Sequence, residues 1–169
     1  MRRTLVIAFL IIISFVLQTT VFNLHDISGV TPDLLIIITM SFGIMRGRRE
    51  GLLTGFFCGM LYDIFYGSLM GPFMFLYMLV GYVNGFFHRK YLMEDVMLPV
   101  MISAVDELFI EFMVYIFAFL LRNRLYFGRY LVHIILPKTL YTVLITVVVY
   151  RIYVRINKYL KKKVSEAKK

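Results

Sequence analysis

The chain holds a single cysteine, Cys58, in 169 residues. No disulfide can close within it, and a lone thiol inside an apolar stretch reads as a small hydrophobic side chain. Charge is scarce as well: 17% of residues are Asp, Glu, Lys or Arg, and 19 basic residues outnumber 10 acidic ones. There is no His-Glu-x-x-His zinc signature, and His25, His88 and His133 fall on separate segments at different depths. Ser14, Ser41, Ser68 and Ser103 are scattered with no base at helical spacing, and Asp63 and Asp106 lack the glycine-flanked context of a paired-aspartate intramembrane protease. Zinc hydrolysis and nucleophilic catalysis therefore lack their parts. No glycine-rich cradle follows a strand, so nucleotide binding has no support either. The chain reads as a non-enzyme with no implied cofactor or metal.

What the sequence does have is apolar length. Hydrophobic residues make up 60% of it, and its mean hydropathy is +0.80. A soluble domain of this size would expose much of that surface to water, whereas a bilayer removes the penalty. Six runs are long enough, or nearly so, for a hydrocarbon core about 30 Å thick: 4–22, 32–45, 51–66, 71–87, 96–121 and 130–153. The runs are continuous rather than alternating, which argues against a β-barrel. The first has a basic start at Arg2 and Arg3 but no small-x-small cleavage site after it, so it reads as a retained span. In the second, Thr31 is expected as N-cap and Pro32 at the first helical position. The expected fold is an all-α integral membrane bundle of six helices over 1–157, with a basic tail over 158–169.

The basic residues orient this bundle. Placing both termini in the cytoplasm puts Arg2, Arg3, Arg46, Arg48, Arg49, Arg89, Lys90 and six tail lysines inside, and leaves Arg122, Arg124 and Arg129 outside. Arg151 and Arg155 at the inner end of the last run can snorkel. The tail and the inner turns would be drawn to anionic lipid or an acidic protein surface. Nucleic acid is a poor partner, because no folded basic face remains outside the bilayer. Outside, Asp26, Asp33 and Asp63 are placed to neutralise the one basic outer loop.

Two patterns inside the runs need explaining. Gly43, Gly47, Gly51, Gly55 and Gly59 recur every four residues, interrupted by a turn expected around 48–50, and Gly81 and Gly85 repeat the spacing on the fourth run. Such stripes let helices approach closely, either within the bundle or as a docking seam for a partner. The fifth run carries Asp106, Glu107 and Glu111, and the sixth carries Lys138 on a stripe with Thr142 and Thr146, with Pro137 freeing a carbonyl nearby. Intramembrane charges are costly. Glu111 and Lys138 both lie roughly 12 to 15 Å below the outer ends of their helices, a depth at which they can pair. Asp106 and Glu107 would then be less compensated. Three readings stay open for this face: a structural ion pair, a partner groove, or a proton or substrate path.

The order of short motifs resembles a known family. Gln18-Thr19-Thr20-Val21-Phe22, Thr31-Pro32-Asp33-Leu34-Leu35, Arg46-Gly47-Arg48-Arg49-Glu50-Gly51, the stretch Gly55 to Asp63, and Gly67-Ser68-Leu69-Met70-Gly71 are similar to the rod shape-determining membrane protein MreD family. The motifs cover the first half; length, span number and basic tail agree across the rest. The resemblance implies a non-enzymatic scaffold of the machinery that builds lateral cell wall. It would bind MreC and act indirectly with the MreB filament, RodA and a class B penicillin-binding protein. It also implies a helical arrangement like that of the substrate-binding subunits of energy-coupling-factor vitamin transporters. A small-molecule-binding transporter subunit is accordingly the alternative function. The residues expected to matter for a partner or for packing are Arg46, Gly47, Gly51, Gly55, Gly59, Asp63, Gly81 and Gly85.

Overall fold

The computed structural model describes residues 2–21, 31–67, 71–89, 97–117, 128 and 131–166. Among them every regular element is helical, so the fold is all-α. The helices are α1 (Arg2–Val16, continued by a π-helical turn Leu17–Val21), α2 (Leu34–Arg46), α3 (Arg48–Tyr66), α4 (Pro72–Asn84, continued by a 3-10 turn Gly85–Arg89), α5 (Met97–Tyr115) and α6 (Leu136–Glu166, entered through a π-helical turn Leu131–Ile135).

The centre is α2. It is apolar on every side rather than along one stripe, and a helix of that kind must be enclosed. Every residue from Leu34 to Met45 is buried, and the helix touches each of the other five. At 13 residues it is only about 20 Å long, short for a bilayer but sufficient for a core helix. Its start differs from expectation. The N-cap is Asp33, not Thr31, because a carboxylate can take the free N–H groups of Leu35 and Ile36 at 3.1 Å each.

The turn between α2 and α3 is also tighter than 48–50. Gly47 alone makes it, at φ 95°, where a Cβ would be strained; Arg48, Arg49 and Glu50 already form the first turn of α3. The two glycine stripes therefore sit on an abrupt hairpin, and α4 fills the space against them. A Cβ on Gly55 would collide with the carbonyl of Tyr77, one on Gly59 with the backbone of Met74, and one on Gly51 with the carbonyl of Gly81. Gly81 faces Gly51 and Gly85 faces Arg48 with equal intimacy. Among all helix pairs α3 and α4 share the most extensive contact, and backbone approach explains it.

The outside of the bundle is apolar. On α6 and the turn before it, Val132, Leu136, Leu140, Leu144, Val148 and Ile152 recur every four residues and are exposed; on α5, Met97, Met101, Val105, Leu108 and Phe112 recur every three or four and are exposed too. The inside holds Asp33, Asp63, Asp106, Glu107 and Glu111. Charge within and hydrocarbon without is the reverse of a water-soluble fold. Among the described residues one helix, Leu131–Tyr159, is long and apolar enough by itself to cross a membrane. Val6–Thr20 and Leu34–Arg46 are apolar but shorter, and α5 carries three buried acids. The last helix continues to Glu166 with no break near 157.

Candidate functional site

Helix starts in an apolar interior pose a problem. The first four N–H groups of a helix have no partner within it, and no water is at hand inside hydrocarbon. Around α2 the solution comes from three other elements. Asp33 N–H donates to Thr142 Oγ1 of α6 (3.2 Å). Leu34 N–H donates to Gln18 Oε1, beyond α1 (2.9 Å), which also takes Leu35 N–H (3.3 Å). The Tyr77 hydroxyl of α4 donates to the second carboxylate oxygen of Asp33. Asp33 is thus an interior node, 1% exposed.

Asp63 works the same way at a distance. Gly71 caps α4 without a side chain of its own. Asp63, at the end of α3, supplies the missing acceptor, receiving Gly71 N–H (3.0 Å), Phe73 N–H (3.2 Å) and Met74 N–H (2.9 Å). Both carboxylates are therefore engaged with helix N-termini, where their charge also meets the positive end of the dipole. Asp33 and Asp63 are also the acids expected to neutralise an outer loop. Asp26, Arg122, Arg124 and Arg129, the remaining parts of that idea, lie outside the described residues.

Beside the Asp33 node stand the charges of α5 and α6. Lys138 Nζ is paired with Glu111 and lies 3.1 Å from Glu107 Oε1. The contact to Glu107 is one of charge rather than of an aligned hydrogen bond, and neither Glu107 oxygen accepts one among the described residues. Asp106 is compensated elsewhere, accepting from Asn84 Nδ2 of α4 at 2.5 Å. Asp106 thus gains a hydrogen-bond partner, whereas Glu107 has only the charge of Lys138 beside it. The helical spacing turns both inward, one to α6 and one to α4.

The opposite end of the bundle is organised by Arg46. Its guanidinium donates to Glu50 (2.8 Å) and to Asn157 of α6 (3.0 Å), and it lies over the Phe42 ring, 5.1 Å from the centroid. Gly47 passes under His88, whose Nδ1 meets the Ile44 carbonyl at 2.8 Å. Arg48 lies over Phe86 at 3.6 Å. The tight hairpin is thereby fastened to α4 and α6, and Gly47, Gly51, Gly81 and Gly85 come together there. Arg49 remains exposed.

Sequence reasoning missed Tyr77, Asn84 and Asn157 as partners. Asn84 and Asn157 were single amides near helix ends, which read as ordinary boundary residues; Tyr77 stands in an aromatic-rich run with nothing to mark it. The interior contacts hold helices in register. Among the described residues no three His, Cys, Asp or Glu side chains converge as a metal site. Cys58 is buried and free.

No curated protein and no solved structure matches the chain. One family does: its sequence pattern, described as rod shape-determining protein MreD, aligns with residues 1–163. With almost the whole chain matched, this protein belongs to the MreD family of membrane proteins and has a role in rod-shape determination.

Proposed function

We propose that the chain is a non-enzymatic membrane scaffold of the cell-elongation complex, crossing the cytoplasmic membrane six times with both termini inside. The observation that carries this beyond family membership is the inverted distribution of polarity: buried acids at 0 to 8% exposure within, and apolar stripes at helical spacing on α5 and α6 outside. Only a hydrocarbon surround stabilises both halves of that arrangement. The basic hairpin 46–49 and the end of α6 then share the cytoplasmic side, consistent with the bias of Lys and Arg.

MreC is the direct partner in this reading, with the MreB filament, RodA and a class B penicillin-binding protein connected through it, and anionic lipid at the cytoplasmic face. Because α4 fills the glycine stripes of α2 and α3, a partner helix docks on the outward apolar faces. Arg46, Gly47, Gly51, Gly55, Gly59, Asp63, Gly81 and Gly85 act by holding those faces in place. A transporter subunit would need free polar groups converging in a cavity. In the cleft between α1 and α3, Arg46 and Glu50 bond to each other and Thr54 bonds to the Glu50 carbonyl.

The test is depletion in a rod-shaped host with co-purification of the tagged full chain. Rounded cells and a stoichiometric MreC-type membrane partner are expected. Unchanged rods in a host with no second copy of the gene, together with a chain that purifies without such a partner, would refute the scaffold.

A further inference from the structure

Between α1 and α3 runs a cleft of about 410 Å3. Its walls are Ile7, Ile11 and Ile12 on one side and Leu53, Phe57 and Met60 on the other, while Arg46 and Glu50 stand at one end. Ile12, Leu53 and Phe57 are exposed along its rim, so it opens sideways. Arg49 is four residues before Leu53, which places it on the same face of α3, one turn beyond the apolar wall. It is exposed, and side chains near a helix start lean towards that start, away from the apolar wall.

We propose that this cleft binds one acyl chain of an anionic phospholipid from the cytoplasmic leaflet, with its phosphate held at the basic hairpin by Arg49. Length and charge both favour that occupant. From Glu50 to Leu61 the α3 wall is about 16 Å long, close to half of a hydrocarbon core of about 30 Å, hence one leaflet deep. A partner's transmembrane helix is ill suited. A membrane-spanning helix is about 30 Å long and would continue past Leu61, where the lining ends, whereas an acyl chain ends within one leaflet. The polar end carries net positive charge: Arg46 and Glu50 neutralise each other, and Arg48 and Arg49 add to the uncapped start of α3, itself the positive end of a helix dipole. This inference rests on the membrane reading above and on the hairpin being cytoplasmic.

The chain contains no tryptophan, so Phe57→Trp places a sole tryptophan, excited selectively at the red edge of the tyrosine band, on the cleft rim, with Leu53→Trp as a second reporter. Phe75→Trp, on the exposed side of α4, reports ordinary lipid contact. The full-length variants are reconstituted in vesicles that mix brominated phosphatidylglycerol with phosphatidylcholine, and then in the converse mixture. At the cleft, phosphatidylglycerol should quench with about fivefold preference, the ratio expected for one basic residue near a charged lipid; at Phe75→Trp the preference should be near one. Arg49→Gln should abolish the preference at the cleft and leave quenching at Phe75→Trp unchanged. Equal preference at both positions, or a preference that survives Arg49→Gln, overturns the lipid site. So does a photocrosslink from residue 57 to a partner's membrane helix in cells. Quenching by neither lipid at any reporter would instead sink the membrane reading itself.

Discussion

Removing Lys138 alone should cost more than removing it together with both of the acids it serves. Lys138 Nζ sits 3.1 Å from Glu107 Oε1 and is paired with Glu111. All three groups are nearly sealed, with side-chain exposures of 14% for the lysine, 0% for Glu107 and 6% for Glu111. At 3.1 Å and an effective dielectric near 20, one such attraction amounts to about 5 kcal/mol. Desolvation of the charges offsets much of that when the cluster is intact. It offsets nothing when the lysine alone is lost, because two carboxylates then remain buried together.

Lys138→Met is therefore expected to destabilise by about 3–5 kcal/mol, enough to remove most folded protein from the membrane. Glu111→Gln leaves Glu107 to pair with the lysine, and should cost about 1.5–3 kcal/mol, the value of a charged hydrogen bond. The triple variant Glu107→Gln, Glu111→Gln, Lys138→Met carries no charge and should be milder than Lys138→Met alone, since neutral replacement of a buried ionic cluster is often tolerated. Unfolding in mixed micelles, followed by circular dichroism, measures each variant, and the cycle isolates the coupling. If the triple variant proves as unstable as Lys138→Met or worse, the three charges do not compensate one another and the interior has been misread.

Other outcomes follow from the same contacts. Gly81→Ala should destabilise by about 1–3 kcal/mol, because its Cβ meets the backbone carbonyl of Gly51, which cannot rotate away; Gly71→Ala meets nothing within 4 Å and should cost about 1 kcal/mol through its positive φ of 125° alone. Micellar unfolding of the two would separate collision from backbone strain, and equal losses would contradict it. Asp63→Ala removes the acceptor of three N–H groups at the start of α4 and should cost about 2 kcal/mol, with Asp63→Asn recovering part of it; full stability in the alanine variant would show that α4 needs no cap. Tyr77→Phe withdraws the hydroxyl that donates to Asp33, for a loss of about 1.5–3 kcal/mol with cell rounding in proportion.

Some of this was written plainly in the residues. Charged side chains within apolar runs are so few that Glu111 and Lys138 pointed to each other by depth alone, and four-residue glycine spacing announced close helix approach. The described helices α1 to α6 fall on the apolar runs. Their ends were not legible there, because a cap depends on which side chains from other helices can reach it. Nothing local shows that Gln18, Tyr77 and Thr142 converge on Asp33. The Arg48–Glu50 stretch looked like a turn because it is charged, whereas Gly47 at φ 95° makes the reversal alone. The centrality of α2 was obscured for a related reason. A 13-residue apolar run reads as a short span by length, and enclosure shows only in the lack of any polar face.

That enclosure bears on what the molecule is built to do. The N–H groups of Asp33, Leu34, Leu35 and Ile36 all end on side chains, from Thr142, Gln18 and Asp33 itself, while Tyr77 fixes Asp33 from a further helix. Arg46 at the other end is tied to α3 and α6. To shift α2 along its axis would break bonds to several helices at once in a place without water to replace them, each at a cost of about 1–3 kcal/mol. A transporter subunit needs such a helix to move; a scaffold needs it to stay. In hydrogen exchange on the full chain in lipid nanodiscs, the amides of residues 34–37 should therefore be among the slowest in the protein, and Gln18→Ala with Thr142→Val should release them. Fast exchange there in the unaltered chain would mean that the node opens readily, and the argument from rigidity would fail.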